Sequence, residues 1–203
     1  MEKIDLAKDL KPLYAPPKGK FVTVDVPKLS FLMIDGEGDP NTATAYKEAI
    51  EALYAVAYTV KFQLKLGPAK TDFRVMPLEG LWWSDDMRDF TAGRREGWKW
   101  TMMIAMPAIV TEKIIREAGA KAAAKKDLPA LPRLKLKSFT EGKAAQTLYF
   151  GAYADEGPTI VALHQHIAAS GHKLSGKHHE IYLSDPRRTV PAKLKTIIRQ
   201  PFI

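Results

Sequence analysis

The chain has 203 residues, of which 46% are hydrophobic and 27% are charged, as is typical of one large globular domain or two small fused modules. It has no cysteine, which excludes disulfides and thiolate metal sites. No apolar run reaches the ~20 residues of a membrane span, and residues 1–10 lack the apolar core of a signal peptide, so a cytoplasmic protein without membrane contact is predicted. The net charge is +8 and the pI about 9.5, but the basic residues are scattered and no nucleic-acid-binding motif occurs, so direct nucleic-acid binding is not expected.

The first half of the chain is predicted to fold as an arm followed by strands, a helix and two further strands. Prolines and glycines mark the arm, and period-two alternation of apolar residues marks the strands. Apolar steps of three and four residues mark the helix, for which Asn41 or Thr42 is a suitable N-cap. The predicted elements are an extended arm at 1–20, strands at 21–26 and 29–34, a helix ending near 64, strands at 72–84 and 97–106, and a charged loop at 85–96.

The second half is predicted to repeat this order after an additional helix. Thr111 is a suitable N-cap for the additional helix, and a proline-rich linker at 128–132 follows it. The next two strands are predicted to form a hairpin around 141–142, and a Gly-Pro pair at 157–158 opens the last helix. The predicted elements are a helix at 110–126, strands at 134–139 and 144–153, a helix from 157 that Gly171 ends, and strands at 178–183 and 194–199.

A short apolar strand that ends in Ser-Asp occurs twice, at 80–86 and at 180–186, and it follows a helix in both halves. This repetition predicts duplicated βαββ modules with pseudo-twofold symmetry and a ligand groove between them. Runs of antiparallel strands with few crossover helices predict an α+β fold. The predicted organisation is an arm at 1–20 and a single domain at 21–203, which consists of a first module at 21–109, an inserted helix and linker at 110–132, and a second module at 133–203.

Only the second copy of the repeated strand carries an acid within it, Glu180. Because side chains alternate across a strand, Glu180, Tyr182 and His178 are expected on one face, with about 7 Å per two-residue step. In a groove, the carboxylate would attract a cation or act as a general base on water, and Tyr182 would donate a hydrogen bond or a proton. The alternative is an ordinary glutamate on an exposed sheet face.

The four tryptophans lie on two predicted strands in the first half of the chain. Alternation places Trp98, Trp100 and Met102 on one face, whereas Trp82 and Trp83 point to opposite faces. These residues are predicted to line an aromatic ligand pocket or, as the alternative, to form an ordinary core. Further candidates for the pocket are Tyr46 and Tyr149.

The histidines do not have the spacing of a metal site. His164 and His166 on a helix point about 200° apart, and His178 and His179 on a strand face opposite sides. No metalloprotease or nucleophile motif occurs, and the Gly-Glu-Gly segment at 36–38 lacks the length and the lysine of a phosphate loop. The chain is therefore predicted to use neither a metal nor a cofactor.

Four segments of the second half form a recognisable pattern: Phe-Gly-Ala-Tyr at 150–153, Gly-Pro at 157–158, His-Glu-Ile-Tyr-Leu-Ser-Asp-Pro at 179–186 and Lys-Leu-Lys-Thr at 193–196. With this pattern the chain resembles the GyrI-like small-molecule-binding family. The resemblance implies that 21–203 is one GyrI-like domain, which binds bulky cationic or aromatic compounds between its modules through aromatic residues and a central glutamate. The match carries over Glu180 and, more loosely, Tyr182.

Some members of this family are effector domains of transcription activators, and some stand-alone members resemble hydrolases that open the cyclopropane ring of DNA-alkylating compounds, a detoxification reaction. For this chain the resemblance implies a monomeric, cofactor-free hydrolase, in which Glu180 activates water and Tyr182 or Tyr149 protonates a conjugated carbonyl. The alternative is a multidrug-binding module that sequesters hydrophobic cations without turnover. A third hypothesis is a partner-binding inhibitor of a nucleic-acid enzyme that uses the basic surface, and a dimer is also left open.

Overall fold

The computed structural model describes residues 2–85 and 94–203, which form two compact units. Most of the charged loop predicted at 85–96 lies outside the described residues. In the described part of the chain, no helix is both long enough and apolar enough to cross a membrane. Unit 1 contains the described residues of 1–6, 29–76 and 82–139, and unit 2 contains residues 7–28, 77–81 and 140–203.

Unit 1 is built on three antiparallel strands and two helices. Strand β3 (Leu29–Glu37) pairs with β6 (Lys99–Met106) on one side and with β7 (Lys135–Phe139) on the other. Helix α3 (Thr44–Leu66) packs against β3 and against α4 (Glu112–Ala123). Each leucine or valine that α3 buries stabilises the fold by about 1.5–3 kcal/mol. The buried residues of α3 recur at helical spacing: Ala49, Ala52, Leu53, Val56, Ala57, Val60 and Leu64.

In unit 2, four strands pair antiparallel in the order β2 (Val22–Val26), β8 (Gly142–Phe150), β10 (Lys195–Pro201) and β9 (His178–Tyr182). Helix α5 (Gly157–Ala169) covers one face of these strands and closes a small hydrophobic core. The core consists of Ala145, Leu163, Ile167, Ile198 and Phe202. Because Ile198 lies opposite Glu180 in the β10–β9 register, Glu180 is on the face that α5 covers.

The remaining elements are short. In unit 1, β1 (Glu2–Ile4) and β4 (Thr71–Phe73) form a parallel pair. Strand β5 (Leu78–Trp83) begins in unit 2 and ends in unit 1 along the chain. Helices α1 (Leu6–Asp9) and α2 (Lys11–Tyr14) precede β2. Single turns of 3₁₀-helix lie at Arg95–Gly97, Leu131–Arg133, Tyr153–Asp155 and Pro191–Lys193.

The predicted fold class is confirmed: the chain is α+β with antiparallel strand pairs in both units. The three long helices also agree with the prediction to within a few residues. Thr111 caps α4, since its hydroxyl oxygen accepts a hydrogen bond from the backbone N–H of Ile114 at 3.4 Å. Gly171, with φ +80°, follows the end of α5 and adopts the left-handed conformation that glycine tolerates best.

The prediction of an extended arm at 1–20 is wrong, because this segment contains the two short helices α1 and α2. Leu13 and Tyr14 are buried, at 5% and 6% exposure. Their burial requires a compact turn rather than an extended chain, and it fixes α2 to unit 2.

Two further local predictions are wrong. Helix α3 has its N-cap at Ala43, which makes no side-chain cap, because the Asn41 amide instead bonds to Asp39 at 2.7 Å. The strand predicted at 72–84 is divided into β4 and β5 at Pro77, which has no N–H to donate to a neighbouring strand.

The predicted hairpin of β7 and β8 is also wrong. Strand β7 pairs with β3, and Phe139 packs edge-on against Phe31 at 6.4 Å; strand β8 pairs with β2 instead. The connection passes through Glu141, whose side chain is only 1% exposed, and a tight hairpin would place this side chain at a solvated tip. The predicted module bounds and the groove predicted between the modules stay predictions.

Candidate functional site

Glu180 lies near the middle of β9, in a row of polar side chains on unit 2. The β8–β10–β9 register places Tyr149, Thr196 and Tyr182 side by side, and Glu180 lies two residues before Tyr182 on the same strand. The predicted alternation is confirmed, since the Glu180 side chain contacts both His178 and Tyr182.

The Glu180 carboxylate is largely buried and bonded on both oxygens. The hydroxyl of Tyr182 donates to Oε2 at 2.8 Å, and Oε1 lies 3.1 Å from Nε2 of His178. The side chains of Glu180 and His178 are 14% and 12% exposed. This environment does not fit the alternative of an ordinary surface glutamate, because a carboxylate on an exposed sheet face would be solvated on both oxygens.

A second carboxyl group, Glu156, joins this cluster from the start of α5. Glu156 is only 3% exposed, and its carboxyl group lies within hydrogen-bonding reach of the Glu180 carboxyl group and of the Thr196 hydroxyl. Burial, and then the negative charge of Glu180, raise the pKa of Glu156 to about 9, so Glu156 is protonated at neutral pH. The two carboxyl groups therefore carry one negative charge and one proton between them.

Sequence patterns do not indicate Glu156 as a site residue. An acid directly before Gly-Pro at a helix start indicates an ordinary N-terminal helix charge, which is normally solvated. Its partner Glu180 lies on a strand more than twenty residues further along the chain, and no local pattern connects the two positions.

Tyr149 lies at the other end of the polar row. Its hydroxyl donates to the backbone carbonyl of Ala152 at 3.1 Å. Burial, and then the charges of Glu156 and Asp155, raise the pKa of Tyr149 above its usual value, so the phenol keeps its proton at neutral pH. Gly151 makes this arrangement sterically feasible, because a Cβ there would lie 2.3 Å from the Tyr149 hydroxyl. The ring of a further tyrosine, Tyr153, meets the Tyr182 ring edge-on at 5.5 Å.

His179 faces the opposite side of β9, as predicted, and is fully buried among charges. Its Nδ1 lies 3.0 Å from the carboxylate of Glu141, and its Nε2 lies 3.0 Å from Glu79. Burial alone would lower the pKa of His179, but the carboxylates of Glu141 and Glu79 raise it to about 9, so the ring donates from both nitrogens. Tyr14 donates to the second oxygen of Glu79 at 2.9 Å.

Arg199 on β10 completes this buried cluster. Its guanidinium donates to Glu141 at 3.1 Å, to Gln146 at 2.8 Å and to the Leu13 carbonyl at 2.7 Å. His179 and Arg199 hold the pKa of Glu141 below its usual value despite its burial. We call Tyr14, Glu79, Glu141, His179 and Arg199 the buried charge cluster. With two acids and two bases it is neutral, and it supports β9 and β10 from behind the Glu180 face.

In unit 1, the predicted aromatic residues form a cluster of their own. Tyr46 meets Trp100 edge-on at 5.3 Å and lies 5.9 Å from Trp82, which meets Trp98 at 5.9 Å. Trp100 has no exposed surface because Gly36 lets its ring lie directly on the backbone of β3. Trp82 is 5% exposed, Met102 is fully buried, and Trp83 and Trp98 are half-buried. The ligand-binding role of these residues stays a prediction.

A buried carboxylate, a protonated carboxyl group and phenols thus lie close together on the sheet face that α5 covers, and the role of this cluster in ligand binding stays a prediction. The chain belongs to the GyrI-like small-molecule-binding family, whose domain description matches residues 20–202. A search of curated proteins found no match.

Three crystal structures of proteins from Listeria innocua are similar to the whole chain. An uncharacterized conserved protein is 40% identical with a TM-score of 0.88, and the match covers 98% of this chain and 100% of that chain. Two structures described as hydrolases are also 40% identical, with TM-scores of 0.86 and 0.87; they cover 98% and 100% of this chain, and 100% of their own length in each case.

Proposed function

We propose that this protein is a cofactor-independent hydrolase that opens the strained cyclopropane ring of electrophilic aromatic compounds and so detoxifies them. The observation that carries the proposal is the contact between the mostly buried Glu180 carboxylate and the Tyr182 hydroxyl, at 2.8 Å. In the proposed reaction Glu180 is the base and Tyr182 is the proton donor. The description of two similar Listeria proteins as hydrolases supports the same class of activity.

In the proposed reaction, Glu180 removes a proton from water, and the water oxygen forms a bond to the ring carbon. The strained C–C bond breaks, and its electron pair moves through the conjugated system to a carbonyl oxygen. Tyr182 donates its proton to that oxygen and recovers a proton from Glu180 through their hydrogen bond. The hydroxyl of water thereby ends on the ring carbon and its proton, by way of Glu180 and Tyr182, on the former carbonyl oxygen, and both residues return to their starting state. Tyr149 is the alternative donor; like Tyr182, which donates to Glu180, it would have to turn its proton away from its present acceptor, the Ala152 carbonyl.

A second candidate function is the binding of hydrophobic cations without turnover. The edge-on contact of Tyr153 and Tyr182 beside the Glu180 carboxylate favours it, because aromatic rings and a partly desolvated negative charge together attract organic cations. This function needs the charge of Glu180 but no proton transfer.

The test is the absorbance of a cyclopropane-containing, DNA-alkylating compound over time, with wild type, Glu180→Gln and the control Glu112→Gln. Glu112 is an exposed acid at the start of α4, so its replacement matches the change in charge. We expect wild type and the control to consume the chromophore catalytically and Glu180→Gln to be slower by about 10²–10⁴-fold. A stoichiometric spectral shift without turnover would favour the binding function, and unchanged turnover in Glu180→Gln would remove Glu180 from the mechanism.

A further inference from the structure

Glu156 occupies an unusual position for a carboxyl group at a helix start. It is the N-cap residue of α5, yet its side chain makes no capping hydrogen bond to the helix. Its backbone carbonyl accepts hydrogen bonds from the N–H groups of Thr159 and Ile160 at 2.9 and 3.0 Å, as in an ordinary helix start. The carboxyl group is instead directed to Glu180, at the expense of the usual capping interaction.

The surroundings of Glu156 require a proton on one of the two carboxyl groups. No donor from the described residues reaches Oε1 of Glu156, which is fully buried. Two ionised carboxylates cannot form a hydrogen bond with each other, and a buried carboxylate oxygen without a donor is strongly unfavourable. Glu180 accepts from Tyr182 and lies beside His178, whereas the more deeply buried Glu156 has only the Thr196 hydroxyl as a neutral donor, so the negative charge is better placed on Glu180 and the proton on Glu156.

We propose that protonated Glu156 is a positioning residue: its proton holds Glu180 in the ionised form and fixes the orientation of the carboxylate towards its substrate. The site is then active only while Glu156 keeps its proton. When Glu156 loses its proton to the solvent, the hydrogen bond is replaced by repulsion between two buried like charges, and the Glu180 carboxylate turns away from Glu156. Glu156 transfers no proton to the substrate in this scheme, so its carboxyl group need not be reached by the substrate.

Other titratable groups lie close to Glu156 and Glu180, and the variant Glu156→Gln distinguishes their titration from that of Glu156. His178 and Tyr182 face Glu180 from β9, and Tyr149 faces Glu156 from β8. His164 on α5 lies near His178, and burial followed by the His178 charge holds its pKa below the usual value. Asp155 is exposed. None of these groups is removed by Glu156→Gln, and glutamine reproduces the protonated acid in shape and as a hydrogen-bond donor.

The experiment compares wild type, Glu156→Gln, Glu156→Leu and the control Glu112→Gln in turnover from pH 6 to 10. Wild type and the control should lose activity as the pH rises through about 9, the pKa of Glu156. The turnover of Glu156→Gln at pH 7 should stay within about threefold of wild type and should not fall at alkaline pH. The turnover of Glu156→Leu should be lower than wild type by about tenfold or more, since misplaced catalytic groups cost up to 10²-fold in rate. A large loss in Glu156→Gln at pH 7, or an unchanged alkaline limb, would overturn the positioning role.

This role rests on the proposed function only for its kinetic readout. Carboxyl ¹³C NMR of glutamate-labelled protein tests it without a substrate. One carboxyl signal should titrate near pH 9 in wild type and be absent from Glu156→Gln. If that signal is present but no compound is hydrolysed, the proposed hydrolase fails while the proton assignment stands. If every glutamate titrates below pH 7, the positioning role fails whatever the activity.

Discussion

The buried charge cluster allows a direct comparison of two arginine–carboxylate pairs in unit 2. Arg199 is 2% exposed and donates to Glu141, Gln146 and the Leu13 carbonyl. Arg187 has 85% of its side chain exposed and makes two hydrogen bonds to Asp185, both at 3.0 Å. Replacing each arginine by methionine removes the same charge and keeps a similar apolar stem.

Arg199→Met should be far more destabilising than Arg187→Met. Removing one partner of a buried ion pair typically costs about 3–5 kcal/mol, because the remaining groups stay desolvated without a donor. Losing an exposed pair typically costs about 0–1 kcal/mol. With a urea slope of about 2 kcal/mol per molar, the unfolding midpoint of Arg199→Met should fall by about 1.5–2.5 M.

Urea unfolding followed by circular dichroism measures both variants under identical conditions. The slope must stay constant for the midpoints to be compared as free energies. If Arg199→Met and Arg187→Met unfold within about 0.5 M of each other, the buried charge cluster contributes nothing beyond an exposed pair, and its proposed role in holding β9 and β10 is refuted.

Three further predictions concern pH and ligand binding. The pKa of His179 is raised from its usual 6.5 to about 9, so its contribution to the free energy of unfolding is complete below about pH 6.5 and is lost as the pH rises through 9. In urea unfolding, the stabilities of wild type and His179→Gln should therefore converge between pH 7 and 10. The raised pKa of Glu156 acts in the same direction over a wider range: folding must hold a proton that the unfolded chain releases above about pH 4.5, so stability falls as the pH rises from about 4.5 to 9. Glu156→Gln should therefore stabilise the protein by about 1–3 kcal/mol at pH 8 and hardly at pH 4, and equal effects at both values would contradict the raised pKa. Trp82→Ala should weaken the binding of flat aromatic ligands by about 1 kcal/mol or more in calorimetric titrations. An unchanged affinity would mean that Trp82 is only a core residue of unit 1.

The parts of the site that lie within one strand were predictable from the sequence. Period-two alternation is enough to place His178, Glu180 and Tyr182 on one face and His179 on the other. The helices were predictable for the same reason, since their apolar spacing and the cap at Thr111 are local signals.

The parts that depend on distant pairing were not predictable. His179 meets Glu141 at a separation of 38 residues and Glu79 at 100, and Arg199 meets Leu13 at 186. Each of these residues alone resembles an ordinary surface charge, because nothing near it in the sequence indicates a partner. The strand partners of β7 and β8 were mispredicted for a similar reason. Two alternating segments joined by a short turn favour a hairpin, and the burial of Glu141, which argues against one, is not visible in the sequence.

The pairing of β2 with β8 has a consequence for synthesis on the ribosome. Val22 pairs with Gln146, so β2 emerges more than a hundred residues before its partner exists. At about 5–20 residues per second, this strand waits on the order of ten seconds with unsatisfied backbone groups. Such a segment invites pairing with other nascent chains, and charges or proline on an unpaired strand are the usual protection. Asp25 within β2 and Pro27 and Lys28 directly after it supply these features, and they also protect β2 as the outermost of the four paired strands in folded unit 2.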